Sequence, residues 1–224
     1  MKDRRLYLFD IDGTLIATGG AGGKAMKAAF AHIWGSDAGF SGIEFSGRTD
    51  RAILRAAIDN TGLQGDIADH LRRFRPVYYR HLRSTLATTP GRVLPGVEPL
   101  LVRLAQEDNA TLAVGTGNFR YSAGLKLRHY GIDHHFRFGG FGDRTEERAP
   151  VIDSAIRAAN RIVGHHGTVI VIGDTENDVL AAKANGAVAI AVATGTVSIE
   201  RLEASGADVV LKTLEGAEKV LLGA

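Results

Sequence analysis

The 224-residue chain is 45% hydrophobic and 23% charged with a formal net charge of +2, values that fit one soluble core, or a core plus a small second domain, and argue against disorder. It contains no cysteine, which excludes disulfides, thiolate zinc sites and cysteine nucleophiles. Lys and Arg are scattered among acids, so no basic stripe argues for nucleic acid, and no apolar run is long enough for a signal-peptide core or a membrane span.

The first predicted element is the short apolar run Leu6–Phe9, which follows Met1-Lys2-Asp3-Arg4-Arg5 and is ended by Asp and Gly. It reads as a buried strand. Residues 16–90 then show helix-like stretches around Lys24–Trp34, Asp50–Asn60 and Asp66–Leu86, with no convincing strand. Thr18-Gly19-Gly20-Ala21-Gly22-Gly23 opens this segment, and Thr89-Pro90-Gly91 and Leu94-Pro95-Gly96 close it. Such breakers suit hinges. Further strands are predicted at Thr111–Val114, Thr168–Ile172, Ala187–Val192 and Asp208–Leu211. Helices are predicted between and beyond them at Val97–Gln106, Phe119–His129, Pro150–Val163, Glu176–Asn185, Ser198–Ala204 and Leu214–Leu222. The alternation indicates an α/β fold with a doubly wound, Rossmann-like parallel sheet. The expected organisation is a core of residues 1–15 and 91–224 with an inserted α-helical cap of residues 16–90.

Three strand ends carry candidate chemistry, and ligands of open α/β sheets bind outside those ends. After the first strand stand Asp10 and Asp12. Successive acids one residue apart would point to opposite faces, but Gly13 lets the backbone leave the strand sharply. One carboxylate then serves as nucleophile and the other as general acid/base, with a divalent cation screening their repulsion. An Asp-Gly turn alone would be the blander account. After Val169–Ile172 comes Gly173-Asp174-Thr175-Glu176-Asn177-Asp178, whose Asp174 and Asp178 are hard oxygen ligands suited to Mg²⁺. Helix capping would explain one of these acids, though not a second strand that ends in an acid pair. After Leu112–Val114, the Thr116 hydroxyl and the backbone N–H groups of Gly117 and Asn118 are placed to donate to phosphate oxygens.

Together these motifs resemble the haloacid dehalogenase-like hydrolase superfamily, and most closely its phosphoglycolate-phosphatase-like branch with a helical cap. The resemblance spans nearly the whole chain. Asp10-Ile11-Asp12-Gly13-Thr14-Leu15, Thr116 and Gly173–Asp178 match its first, second and fourth motifs. The third motif is usually a Lys. None stands at the expected place, and Arg148 before Ala149-Pro150 is the best match, with Arg144 its competitor. Arg pairs with carboxylate and phosphate together and stays charged. Ser46-Gly47-Arg48-Thr49-Asp50 resembles a cap motif of relatives. In it Arg48 would face the non-phosphate end of the substrate and Asp50 would cap the next helix.

The resemblance implies a Mg²⁺-dependent phosphatase that forms an aspartyl-phosphate on Asp10. Asp12 would protonate the leaving alkoxide, then activate water, and lend the metal its backbone carbonyl. Mg²⁺ would be held by Asp10, that carbonyl and Asp174, with Asp178 in support. Thr116, Gly117 and Arg148 would hold the phosphoryl oxygens, and the substrate would be a small phosphorylated metabolite resembling 2-phosphoglycolate. A β-phosphoglucomutase-like phosphomutase keeps both aspartates and is the enzymatic alternative. A non-catalytic phosphometabolite-binding protein is the alternative of another class. The protein is expected to be cytoplasmic, a monomer or homodimer, with no nucleic-acid or membrane partner.

Other signals point elsewhere. Gly19–Lys24 lacks the phosphate-loop spacing, since Thr18 stands where Gly is required and Ala25 follows the Lys. His134-His135 and His165-His166 are adjacent pairs that read as surface residues. Trp34, Phe74, Tyr78 and Tyr79 read as cap core or cap–core contact.

Overall fold

The computed structural model describes residues 4–223. Met1–Asp3, part of the N-terminal stretch read above, and Ala224 lie outside the described residues. In chain order, strand β1 (Arg5–Phe9) leads to a short strand β2 (Ile16–Ala17). Three helices follow, α1 (Ala21–Trp34), α2 (Asp50–Thr61) and α3 (Ile67–Thr88). The chain returns through β3 (Arg92–Val93), α4 (Val97–Ala105), β4 (Ala110–Thr116), α5 (Arg120–His129) and β5 (Gly139–Phe141). It finishes with α6 (Ala149–Val163), β6 (Thr168–Gly173), α7 (Glu176–Ala184), β7 (Val188–Val192), α8 (Ile199–Ala204), β8 (Val209–Leu211) and α9 (Glu218–Leu221).

Six strands form a parallel sheet in the order β5-β4-β1-β6-β7-β8. The apolar runs have no polar alternation because this sheet is covered on both faces. One face packs Tyr7, Phe9 and Ile172 with α4 and α9 residues such as Leu101 and Leu221. The other packs Leu6, Leu8 and Val171 with α6, α7 and α8 residues such as Ile152, Ala182 and Leu202. Strand order reverses beside β1, between β4 and β6, so the end of β1 faces the crevice where such sheets bind ligands.

Helices α1, α2 and α3 share a separate apolar cluster built on Phe30, Leu54, Phe74, Tyr78 and Leu82. Trp34 and Tyr79 pack against it, and Phe119 at the start of α5 joins it, its ring meeting that of Tyr78 edge-on with centroids 6.3 Å apart. The aromatic residues are therefore packing groups, as the helical spacing suggested.

Several expectations are corrected. The segment read as strandless contains β2, which pairs antiparallel with β3 through Ile16 with Val93 and Ala17 with Arg92. Two-residue strands leave no periodicity to read. At this crossing a Cβ on Gly19 would lie 2.2 Å from the Pro90 carbonyl oxygen. Helix α1 starts at Ala21, so Gly22 and Gly23 are helical despite their low propensity; burial of Ala21, Ala25 and Met26 overrides it. Edge strand β5 was missed because Gly139-Gly140-Phe141 has little strand character. Gly140 is there for space, as its Cβ would lie 2.0 Å from the Val151 carbonyl oxygen of α6. The last helix is only Glu218–Leu221, since Gly216 has φ +71° and breaks the longer pattern. His166 is buried and hydrogen-bonds Asn160 and Thr111, so it is no surface residue.

Asp50 was expected to cap its own helix. Thr49 does that instead, accepting from the Ala52 N–H at 3.1 Å. The buried Asp50 carboxylate reaches across to the core, accepting from the Phe119 N–H at 2.8 Å and the Ser122 hydroxyl at 3.0 Å. It thereby satisfies the start of α5, whose N-cap residue Phe119 has no side-chain acceptor of its own. The Asp50 N–H donates to the Gly117 carbonyl at 2.8 Å. Asp50→Ala strands the Phe119 N–H and should destabilise the protein by about 2 kcal/mol. Asp50→Asn, which keeps an acceptor, should cost less than half of that. Urea unfolding at pH 7 measures both.

Candidate active site

The parallel register brings the ends of β1, β4 and β6 side by side, with Phe9 opposite Val114 and Ile172. Asp10, Thr116 and Asp174 therefore meet without any long-range folding of loops. All three are buried, with Asp10 7%, Thr116 0% and Asp174 3% exposed. Asp10 and Asp174 border a cavity of about 320 Å³ whose walls also include Asp12, Gly117, Asn118, Lys126, Arg148 and, from the helical segment, Arg48.

Asp10, Asp174 and Asp178 each offer a carboxylate oxygen, and these oxygens all lie within 4.8 Å of one another. Arg148 answers them. Its guanidinium pairs with Asp10 Oδ1 at 3.1 Å, donates to Asp178 Oδ1, and donates to the Gly115 carbonyl at 3.3 Å. Burial pulls the Arg148 guanidinium down, but Asp10 and Asp178 more than offset this and hold it charged. Arg144 is exposed and lines a different groove. Of the two arginines that compete in the sequence, Arg148 is the one brought to Asp10.

One cation does not neutralise three buried acids. Burial pushes the Asp10 carboxyl up to about 6, Arg148 opposes this, and Asp178 and Asp12 add to it. Asp174 is pushed well above the ordinary carboxylate range by burial and by Asp178 and Asp10. Asp10 Oδ1 is buried and, despite the nearby guanidinium, has no partner at hydrogen-bonding angles. An orphaned carboxylate oxygen inside an acid cluster is what a hard divalent cation would satisfy. The residues present thus fit Mg²⁺.

The acids are not equivalent. Asp174 Oδ1 accepts from the Thr14 hydroxyl at 3.2 Å. Asp178 is already committed: Oδ2 accepts from Thr175 N–H at 3.1 Å and from the Thr175 hydroxyl at 2.6 Å, closing a capping box at the start of α7. Oδ1 faces Arg148. Asp178 therefore suits a supporting place behind Asp10 and Asp174. Gly13 and Gly195 make room for Asp174: a Cβ at either position would fall 2.2 Å and 1.8 Å from its Oδ2.

Asp12 lies outside the acid cluster. Its Oδ2 accepts from Lys126 Nζ at 2.5 Å and from Asn118 Nδ2 at 2.8 Å. Asn118 Nδ2 also donates to Thr116 Oγ1 at 2.9 Å, and the Asn118 N–H to the same oxygen at 3.3 Å. Burial would pull the Lys126 ammonium down, yet Asp12 and Asp50 outweigh burial and raise it. Gly117 proves to be a docking point. A Cβ there would lie 2.4 Å from the Arg48 carbonyl oxygen and 3.0 Å from Thr49 Cα. The Arg48 side chain donates to the Ala52 carbonyl at 3.3 Å and borders the cavity.

Sequence reasoning missed Lys126 and the segment Thr194-Gly195-Thr196, and gave Thr14 of the first motif no role of its own. Thr194 follows β7 and its hydroxyl donates to the Gly13 carbonyl at 2.6 Å. The strand-end rule would have pointed to it. Lys126 had no comparable signal, since it sits inside an ordinary helix.

Residues 5–186 match the family model described as "haloacid dehalogenase-like hydrolase". A Dickeya dadantii protein named "Probable phosphatase IndB" is 28% identical over 97% of this chain and 94% of its own length. A phosphoglycolate phosphatase of Xanthomonas campestris pv. campestris is 27% identical over 87% of this chain and 86% of its own. The fold is shared with a crystal structure of a hydrolase from Pseudomonas syringae, at TM-score 0.72 and 21% identity over 100% of both chains. Among the described residues, no helix is long and apolar enough to cross a membrane.

The raised carboxyls dictate how pH acts on metal binding. Below about pH 6 the Asp10 site holds a proton that Mg²⁺ must displace. The Mg²⁺-induced rise in melting temperature should therefore be larger at pH 7.5 than at pH 5.5. Differential scanning fluorimetry with and without Mg²⁺ measures this, and Asp174→Asn should abolish the rise at both values.

Proposed function

This chain belongs to the haloacid dehalogenase-like hydrolases, and we propose that it is a Mg²⁺-dependent phosphatase of a small phosphate monoester, working through an aspartyl-phosphate on Asp10. The observation that carries the proposal is the pairing of Asp10 with the buried Arg148 at the end of β1, with Asp12 two residues on.

Asp10 is the nucleophile. A carboxylate oxygen attacks phosphorus as the bond to the ester oxygen breaks. Arg148, Thr116 and the Gly117 N–H hold the transferring oxygens, where charge is most costly. Asp12 gives its proton to the leaving alkoxide and then takes one from the water that hydrolyses the intermediate. Asp10, the Asp12 backbone carbonyl and Asp174 would hold Mg²⁺, with Asp178 behind them. When bound, the ion neutralises the carboxylates and draws charge from the phosphoryl oxygens. Residues 16–90 act as a cap that excludes water and presents Arg48 to the far end of the substrate. The cavity of about 320 Å³ suits a small ester, and 2-phosphoglycolate is the first to test, since a relative is a phosphoglycolate phosphatase.

Phosphate release from a panel of small phosphate esters with Mg²⁺ tests this reading. Asp10→Asn should retain the fold and fall below about a thousandth of the native rate. Arg148→Ala should lose roughly a hundredfold in kcat/KM, whereas Arg144→Ala should stay within about twofold. One free phosphate should appear per ester consumed. Isomerised ester without phosphate would mean a mutase, and binding without turnover a sensor.

A further inference from the structure

The cavity has a second buried cation to which the phosphoryl-holding scheme gives no task. Lys126 projects from α5, is 3% exposed, and donates to Asp12 Oδ2 and to Asn118 Oδ1, both at 2.5 Å. Asn118 Nδ2 meets the same Asp12 oxygen at 2.8 Å. Asp12 itself is loosely enclosed, with its side chain 39% exposed. Without these two donors its carboxylate would be free to turn about χ1 and χ2.

From these contacts we infer that Lys126 is a positioning residue which, with Asn118, clamps Oδ2 of Asp12 and reserves Oδ1 for proton exchange with the ester oxygen of the leaving group. The inference rests on the reading of Asp12 as proton donor. Both donors end on one oxygen, so the other is not taken up by them. The clamp is anchored to the phosphate side of the site, because Asn118 also donates to Thr116 Oγ1. Its far side is closed by α1. A Cβ on Gly22 would lie 3.3 Å from Lys126 Nζ, so glycine leaves the ammonium its place. The distance between Asp12 and the phosphorus site is thus set by a connected chain of short bonds, and small misplacements of a proton donor are expensive in rate.

The step defines the test. As the Asp10 oxygen bonds phosphorus, the bond to the ester oxygen breaks, the electron pair stays on that oxygen, and the Asp12 proton moves to it. An alkyl oxygen needs that proton, and a p-nitrophenyl oxygen leaves without it. Loss of Asp12 geometry should therefore weigh on alkyl esters in kcat/KM, which reports the steps up to aspartyl-phosphate formation.

The experiment compares kcat/KM for p-nitrophenyl phosphate with that for the best alkyl phosphate in the full-length protein. Lys126→Met should lose at least about tenfold more on the alkyl ester than on the aryl ester. Lys126→Gln, which keeps a donor, should recover part of that difference, and it also serves as the test variant if the Met protein does not fold. Asp12→Asn is the control and should show the same alkyl-selective loss. Equal losses on both esters in the Lys126 variants, with Asp12→Asn still selective, would overturn the inference and leave Lys126 a structural ion pair. An Asp12→Asn protein without selectivity would overturn the proton-donor reading, and the clamp with it.

Discussion

The structure turns on keeping three carboxylates together at the ends of adjacent strands. Asp10, Asp174 and Asp178 are each at most 7% exposed, and their oxygens fall within one small sphere. Buried like charges repel strongly where water cannot screen them. Arg148 supplies one compensating charge and spreads it over Asp10 and Asp178. The remainder of the imbalance is what makes the site suited to a divalent cation and to the charge that builds up on a transferring phosphoryl group.

That electrostatic arrangement governs the backbone around it. The acids approach closely only because Gly13 and Gly195 carry no side chain on the Asp174 side. Gly13 has φ +82°, a conformation that glycine adopts without penalty. Gly117 plays the matching part for the helical segment, letting the backbone at Arg48 and Thr49 come down onto the end of β4. Asp50 then ties that backbone to the start of α5. The start of α5 is therefore completed by an acid from the helical segment that precedes β3.

What could be read from the sequence and what could not divide along physical lines. Asp10, Thr116 and Asp174 were legible because each ends an apolar run, and parallel strands in register carry their ends to one place. Arg148 was legible only through resemblance, since nothing local separates it from Arg144 until burial does. Lys126 was illegible because its partner Asp12 lies 114 residues away. Asp50 was misread because an acid at a helix start has a local explanation, and only tertiary contact shows the distant one. β5 escaped notice because its glycines answer to the packing of α6 and not to strand propensity.

The two buried cations divide the site. Arg148 engages Asp10 and Asp178 at once, both through its Nη2. That geometry places it beside Asp10. Lys126 is a compact charge with three donors, two of which are spent on Asp12 and Asn118. Arg148 thus serves the buried acid cluster, and Lys126 serves Asp12 outside it. On the proposed reading of Asp10 as nucleophile, Arg148 must also tolerate phosphate, whereas Lys126 need only keep Asp12 still.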